Sequence, residues 1–396
     1  MPHSPGKGTM SLFILFLLSA LTLFIWFTGF RFIQILPVGN YTKALLWFTL
    51  VYGLLFAPFL FYLRTLGLQG TTLDLVAWSG YLLMGLYSIL ICGVIGRDIF
   101  LGFCYLIEKW NGAPLLKDPS RRGLLIQGVN IGLAGISTGI TGTALFKAMA
   151  PAQIVTITHP LEKKLQGLYG LRIVQISDIH VSHTIRRPMV KRIVKQVNAL
   201  KPDIVVLTGD LVDGSVPMLK KDVAPLKTLV APMGLFFVTG NHEYYSGVMP
   251  WIEEVRQLGF TCLINNHTVL THNKTPLVIA GVTDYHAGRM VPQHASDVAT
   301  ALEGAPEEAY RLLLAHQPLS FPEAQKNRCH LTLSGHTHGG QYFPYNLAIH
   351  LAQPWVAGLY EQKEARLYVN RGSAFWGPPL RLGSPSEITL HILGEA

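Results

Sequence analysis

The sequence predicts an α/β domain that follows a set of membrane-length apolar helices. Two observations carry this. From residue 171 onward, short apolar runs alternate with amphipathic helical patterns, as an α/β architecture requires. Before residue 150, uncharged stretches run about twenty residues each, long enough to cross a hydrocarbon core of about 30 Å. Composition agrees with both: 49% of the 396 residues are hydrophobic and only 14% are charged.

The stretches 9–30, 44–63, 75–96 and 123–146 contain no Asp, Glu, Lys or Arg. Lipid offers the backbone no water, so such segments must be helical. Trp26, Trp47, Trp78 and Tyr81 lie near segment ends, where interfacial aromatics gather. The fourth stretch is richer in Gly, Ser and Thr and holds Gln127 and Asn130. Its Gly128/Gly132 and Gly135/Gly139 pairs permit close helix packing. Its opening, Ser120-Arg121-Arg122-Gly123-Leu124-Leu125, resembles a twin-arginine export signal, with Leu124 where Phe is usual. Ala148-Met149-Ala150 has the small residues of a cleavage site, but Pro151 argues against cutting, so a retained anchor over 1–150 is expected.

Charge sets the expected topology. The net charge is +9, and before His159 the chain has 10 basic and 4 acidic residues. Arg97, Lys109, Lys117, Arg121 and Arg122 fall between the third and fourth spans, and Arg31 and Lys43 between the first two. The second loop has Arg64 and the N-terminal tail Lys7. The positive-inside rule then places the first and third loops in the cytoplasm. The globular part is expected on the periplasmic or extracellular side of a cell (inner) membrane, although Lys147, Lys163 and Lys164 count the other way. No basic stripe with interleaved aromatics occurs, so nucleic acid is not an expected partner. No span carries an internal charge, which argues against an ion or proton pathway. The four cysteines form no CxxC; Cys262 and Cys329 are open to two readings, a disulfide or buried free thiols.

Residues 151–170 read as a linker and 171–396 as the globular domain. Within the latter, 172–177, 203–208, 235–239, 277–281, 311–315 and 331–334 read as buried strands. Residues 189–200 read as an amphipathic helix, with Met189, Ile193, Val197 and Leu200 on one face and Pro202 just beyond.

The residues just beyond these strands point to chemistry. The first strand opens into Asp178-Ile179-His180, the second into Gly209-Asp210 and the third into Gly240-Asn241-His242-Glu243. The fifth ends at His316, and the sixth runs into Gly335-His336-Thr337-His338-Gly339-Gly340-Gln341. Five strand ends thus deliver carboxylate, amide and imidazole groups to one edge, where catalytic loops gather. Such hard and borderline donors suit Mn, Fe, Zn or Co. Asp-x-His and His-x-His on an extended stretch would project both side chains to one side. The interleaved glycines permit tight turns.

This order resembles the calcineurin-like metallophosphoesterase superfamily, with its D-x-H, G-D, G-N-H-[DE], H and G-H-x-H motifs, over about 171–393. Ser334-Gly335-His336-Thr337-His338-Gly339-Gly340-Gln341 and the closing Pro379-Leu380-Arg381-Leu382-Gly383-Ser384-Pro385-Ser386-Glu387-Ile388 resemble its YkuE/YaeI-like subgroup, whose members often carry a membrane segment. The resemblance implies a four-layer α/β/β/α sandwich after about four transmembrane helices. It implies two divalent ions: one held by Asp178, His180, Asp210 and His338, the other by Asp210, Asn241, His316 and His336. His242 would be the general acid, oriented by Glu243 or another carboxylate. His183 has no counterpart and reads as a surface or substrate-side residue. The implied reaction is in-line attack of a metal-bridging hydroxide on a phosphodiester, or a phosphomonoester, of a small molecule, lipid or cell-envelope component. Alternatives are a non-catalytic or signalling module on the same fold and a two-metal hydrolase of another bond. The aromatic stretches Tyr342-Phe343-Pro344-Tyr345 and Phe375-Trp376 read more readily as core than as an apolar approach.

Overall fold

A computed structural model describes residues 7–65, 70–112 and 118–395. The chain divides into two compact units, Met1–Ala144 and Leu145–Ala396.

The first unit is helical. Its helices are Lys7–Arg31, Asn40–Thr65, Thr71–Asn111 and the start of Pro119–Met149, and the four expected spans fall inside them. Among the described residues, Leu18–Ile35, Thr71–Asn111 and Ser120–Met149 are long and apolar enough to cross a membrane by length and composition. The third helix corrects the sequence reading. It does not end near residue 96 but runs 41 residues, roughly 60 Å at the α-helical rise. Nothing breaks it before Gly112, which closes it in the left-handed region at φ 66°. Arg97 and Lys109 are therefore helical, and Arg97 is buried. Its guanidinium donates to Asn130, to Asp98 at 2.6 Å and to the Arg31 carbonyl at 3.0 Å. Arg31 Nε also donates to Asp98 at 2.6 Å. A polar knot thus joins three helices, with Arg97 as an internal tie. Lys117, also counted toward the topology, lies outside the described residues.

The second unit is built on twelve strands: β1 Gln153–Leu161, β2 Arg172–Ile176, β3 Ile204–Thr208, β4 Gly234–Val238, β5 Thr261–Cys262, β6 Asn266–His272, β7 Thr275–Gly281, β8 Tyr310–Leu314, β9 Leu331–Ser334, β10 Gly358–Gln362, β11 Ala365–Val369 and β12 Glu387–Glu395. They form two six-stranded sheets, ordered β1-β12-β2-β3-β4-β5 and β10-β11-β9-β8-β7-β6. In the first sheet β2, β3, β4 and β5 run parallel, and β12 is antiparallel to β2. In the second, β7, β8, β9 and β11 run parallel. The sheets share one core. Ile173, Val206 and Phe236 from one meet Ile279, Leu312 and Leu333 from the other. The alternate residues of the second sheet, including Val278, Ala280 and Leu313, pack with Phe321 and Ala324 of the helix Phe321–Lys326. Burial on both faces is why the central strands read as unbroken apolar runs.

The stretch 151–170, expected as a linker, contains β1, which pairs in parallel with β12. β1 is an edge strand with mostly exposed side chains, so its sequence lacks a core signal. All four cysteines are free thiols, and Cys262 and Cys329 are buried.

Candidate metal centre

The sequence-predicted residues meet at the carboxyl ends of the parallel strands of both sheets, where a ligand crevice is expected. β2 leads to Asp178 and His180, β3 to Asp210, β4 to Asn241 and His242, β8 to His316, and β9 to His336 and His338. Among the described residues, three sets have their donor atoms within 4.8 Å of one another: Asp178/His180/His338, His180/Asp210/His242 and Asp210/His316/His336. His316 Nε2 lies 3.1 Å from Asp210 Oδ2, and His180 Nε2 lies 3.8 Å from the same oxygen. Asp210 thus stands between the two outer sets.

The backbone that achieves this is not extended. Asp178, His180, Asp210, His336 and His338 have φ of 52°, 51°, 52°, 72° and 52°. The expectation that a pleat aims each D-x-H or H-x-H pair is therefore wrong. Left-handed turns aim them, a conformation that Asp and His tolerate better than most residues. Two glycines make room. A Cβ on Gly240 would stand 2.1 Å from Asp210 Oδ1, and one on Gly335 2.2 Å from Asp178 Oδ2.

Buried partners hold the cage. Glu243 accepts backbone N–H bonds from Gly240 at 2.7 Å, Leu211 at 2.8 Å and Asp210 at 3.0 Å. It therefore braces the loops and does not orient His242. That role falls to Asp213, which the sequence reading missed. Asp213 Oδ1 accepts from His242 Nδ1 at 2.5 Å and lies 3.2 Å from His180 Nδ1. It stands three positions after Asp210, so Gly-Asp-x-x-Asp was the available signal. His316 Nδ1 donates to the Thr208 carbonyl at 2.8 Å. Ser384 Oγ and Arg381 Nη1 donate to the His338 carbonyl at 2.7 and 3.0 Å. His183, expected at the surface or on the substrate side, is buried, which removes the surface reading.

Electrostatics reflect burial and neighbours. Burial opposes charge on His242, but Asp210 and Asp213 outweigh it and raise its pKa to about 9. Burial also works against the charge on Asp213, yet His242 and His180 hold its carboxyl far below the usual range. Burial and then Asp210 push Glu243 up to about 8, against its backbone donors. Burial, with His316 next, drives His336 down to about 3.

The donors fit divalent cations. Asn241 Oδ1 is buried with no hydrogen-bond partner among the described residues, an arrangement that costs about 1–3 kcal/mol unless something meets it. His180 Nε2 faces His338 Nε2 at 3.0 Å, and His316 Nε2 faces His336 Nδ1 at 3.2 Å. Arg381 qualifies the fit. Its Nη2 lies 3.0 Å from His338 Nδ1, and a guanidinium only donates. In this contact His338 carries its proton on Nε2. Metal binding there requires the other tautomer, with Arg381 Nη2 turned to the Ala374 carbonyl that it also contacts.

A half-exposed aromatic rim borders the cage. Trp376 packs 5.6 Å and Tyr245 5.3 Å from the His242 ring, centroid to centroid. Phe375 and Tyr342 are buried, so the two aromatic stretches are divided between core and rim.

Strand ends that converge His, Asp and Asn on one crevice define a candidate divalent-metal centre, and comparison with known proteins narrows the class. The family model for calcineurin-like phosphoesterase matches residues 171–340. A transmembrane protein with metallophosphoesterase domain from Danio rerio is 40% identical over 274 residues, 67% of this chain and 62% of that protein. An uncharacterized metallophosphoesterase of Helicobacter pylori strain J99 is 35% identical over 291 residues, 73% of this chain and 75% of that one. Bacillus subtilis YkuE is 28% identical over 295 residues, 70% of this chain and 99% of that one. The chain belongs to the calcineurin-like metallophosphoesterase family. It spans about 62% of the Danio rerio relative's length.

Proposed function

We propose that the chain is a membrane-anchored, dinuclear metal-dependent phosphoester hydrolase. The buried cage carries this reading, above all its two facing pairs of imidazole nitrogens, together with an Asn241 Oδ1 that is buried and unpartnered among the described residues. Asp178, His180, Asp210 and His338 would hold one ion, and Asp210, Asn241, His316 and His336 would hold the other. Mn, Fe or Zn suits this donor set. Bound ions supply Lewis acidity, which activates water and offsets charge on the phosphoryl oxygens.

The protein's own groups complete the chemistry. Asp213 fixes the His242 ring through Nδ1, which leaves Nε2 3.9 Å from Asp210 Oδ2 at the cage mouth. With Nδ1 bonded to the Asp213 carboxylate, a proton on His242 Nε2 is placed for donation to the leaving oxygen. Trp376 and Tyr245 wall the space beside it. They favour an organic group on the second ester arm, hence a phosphodiester ahead of a monoester. A four-layer domain over 171–396, extended by β1, behind about four spans in 1–150 belongs to the same reading, with N-terminus and domain outside a cell membrane.

The test uses the full chain with Mn, a chromogenic phosphodiester and its monoester, and metal counting beside Asp210→Ala. Two ions per chain and faster diester turnover are expected, both lost in the variant. Two bound ions with neither ester hydrolysed would sink the catalytic reading. A single ion would sink the dinuclear one.

A further inference from the structure

The helix Tyr345–Ala352 buries none of its eight residues. Leu351 is 92% exposed and Leu347 64%; four positions apart, they form one apolar ridge, with Ala348 and Ala352 beside it. Single exposed leucines are ordinary, but a ridge on a short uncharged helix is not.

Three observations indicate what covers it. First, the ridge adjoins the metal centre. The helix comes just after His338-Gly339-Gly340, and a Cβ on Gly340 would stand 2.3 Å from Asn346 Cα. Gln341, between them, donates to the Trp376 carbonyl at 2.9 Å. Trp376, itself 50% exposed, packs against His242. Second, the surrounding sequence suits an anionic surface. No Asp or Glu occurs in 324–360 or in 365–386. The exposed aromatics Phe343, Tyr345 and Trp376 are of the kind that settle at a polar–apolar boundary. Third, the same chain has helices long and apolar enough to cross a membrane, so lipid is an apolar phase it meets.

We propose that Tyr345–Ala352 inserts its leucine ridge into the headgroup–acyl boundary of a phospholipid bilayer and presents an amphiphilic lipid phosphoester to the metal centre. The substrate half rests on the phosphoesterase reading above; the insertion half does not. Insertion scales with the apolar area buried, with anionic headgroups adding attraction.

The full chain is reconstituted in nanodiscs of phosphatidylcholine and phosphatidylglycerol. Leu351→Cys carries bimane, and wild type labelled in parallel corrects for native thiols. Strong quenching by nitroxide lipids and weak quenching by iodide is expected. Free quenching by iodide with none by nitroxide lipids overturns insertion. So does protection from both with doubled mass, which would mean a second copy covers the ridge. In the second arm, Leu347→Glu/Leu351→Glu lowers hydrolysis of a nanodisc-borne phospholipid by about tenfold or more, from the lost burial of two leucines, and leaves a soluble nitrophenyl diester unchanged. Equal loss on both substrates shows a merely structural helix and overturns the proposal. If wild type cleaves neither substrate, the phosphoesterase reading fails, and the quenching result still decides insertion.

Discussion

Replacing Asp213 by Asn removes one negative charge from beneath two imidazoles at once. In the native protein this carboxylate sits 2.5 Å from His242 Nδ1 and 3.2 Å from His180 Nδ1, in a buried residue. Asparagine is nearly isosteric, but its neutral oxygen is a weaker acceptor and its amide introduces two donors. A hydrogen bond involving a charged group contributes about 1.5–3 kcal/mol, which is about 10–150-fold in rate if it is needed only at the transition state. Loss of a partner behind a metal-site histidine costs about 10–100-fold by a separate line of experience. The two ranges agree. The assay is steady-state turnover with Mn on two diesters, one leaving as nitrophenolate and one as a simple alkoxide, with metal counted in both proteins. If Asp213 acts through His242 as proton donor, the alkoxide substrate shows the full loss. The nitrophenolate, which leaves without much help, shows less. A fall under about twofold on both substrates would refute the dyad, because it lies below the weakest bond in that range. A loss that tracks missing metal would show that Asp213 acts only by holding His180.

Two further substitutions test how the cage is built. Gly240→Ala places a methyl 2.1 Å from Asp210 Oδ1; overpacking of this kind costs about 1–3 kcal/mol, and bound metal and turnover should fall together. Native metal content and turnover in that variant would show that the loop yields freely. Glu243→Gln turns an amide donor toward backbone N–H groups from Gly240, Asp210 and Leu211; a cost of about 1–3 kcal/mol should lower the thermal midpoint in detergent at about pH 9, above the Glu243 pKa of about 8, and an unchanged midpoint would mean that the three bonds are dispensable.

Burial decides which parts were legible from sequence. β2, β3, β4, β7, β8 and β9 lie inside the sheets, are apolar on both faces, and stand out as runs such as Ile204-Val205-Val206-Leu207. β1 and β10 lie at sheet edges with half-exposed, polar faces, so Gln153–Leu161 reads as connecting chain. The donors were legible because their motifs sit at the ends of buried runs. Asp213 was harder to find: its place three positions after Asp210 was a signal, but only the fold turns its carboxylate back beneath His180 and His242. The length of Thr71–Asn111 was hidden for a related reason. Arg97 and Asp98 look like a loop until Asn130 and the Arg31 carbonyl supply partners from distant positions.

The left-handed turns explain why the site needs so much buried polar support. Five donors at positive φ, at the lower strain figure of about 1 kcal/mol each, cost about 5 kcal/mol, comparable to the whole stability of a small domain. Protein contacts brace the cage. Glu243 pins three backbone amides, Thr208 holds His316, and Arg381 with Ser384 holds the His338 carbonyl. These bonds lie in a water-poor interior where satisfied polar networks resist rearrangement. The ligand geometry is thereby set by the fold, and Asn241 Oδ1 is left as a buried acceptor that the protein does not satisfy. Side chains held in this way need little further ordering when a divalent cation binds, so variants that loosen them should bind metal more weakly.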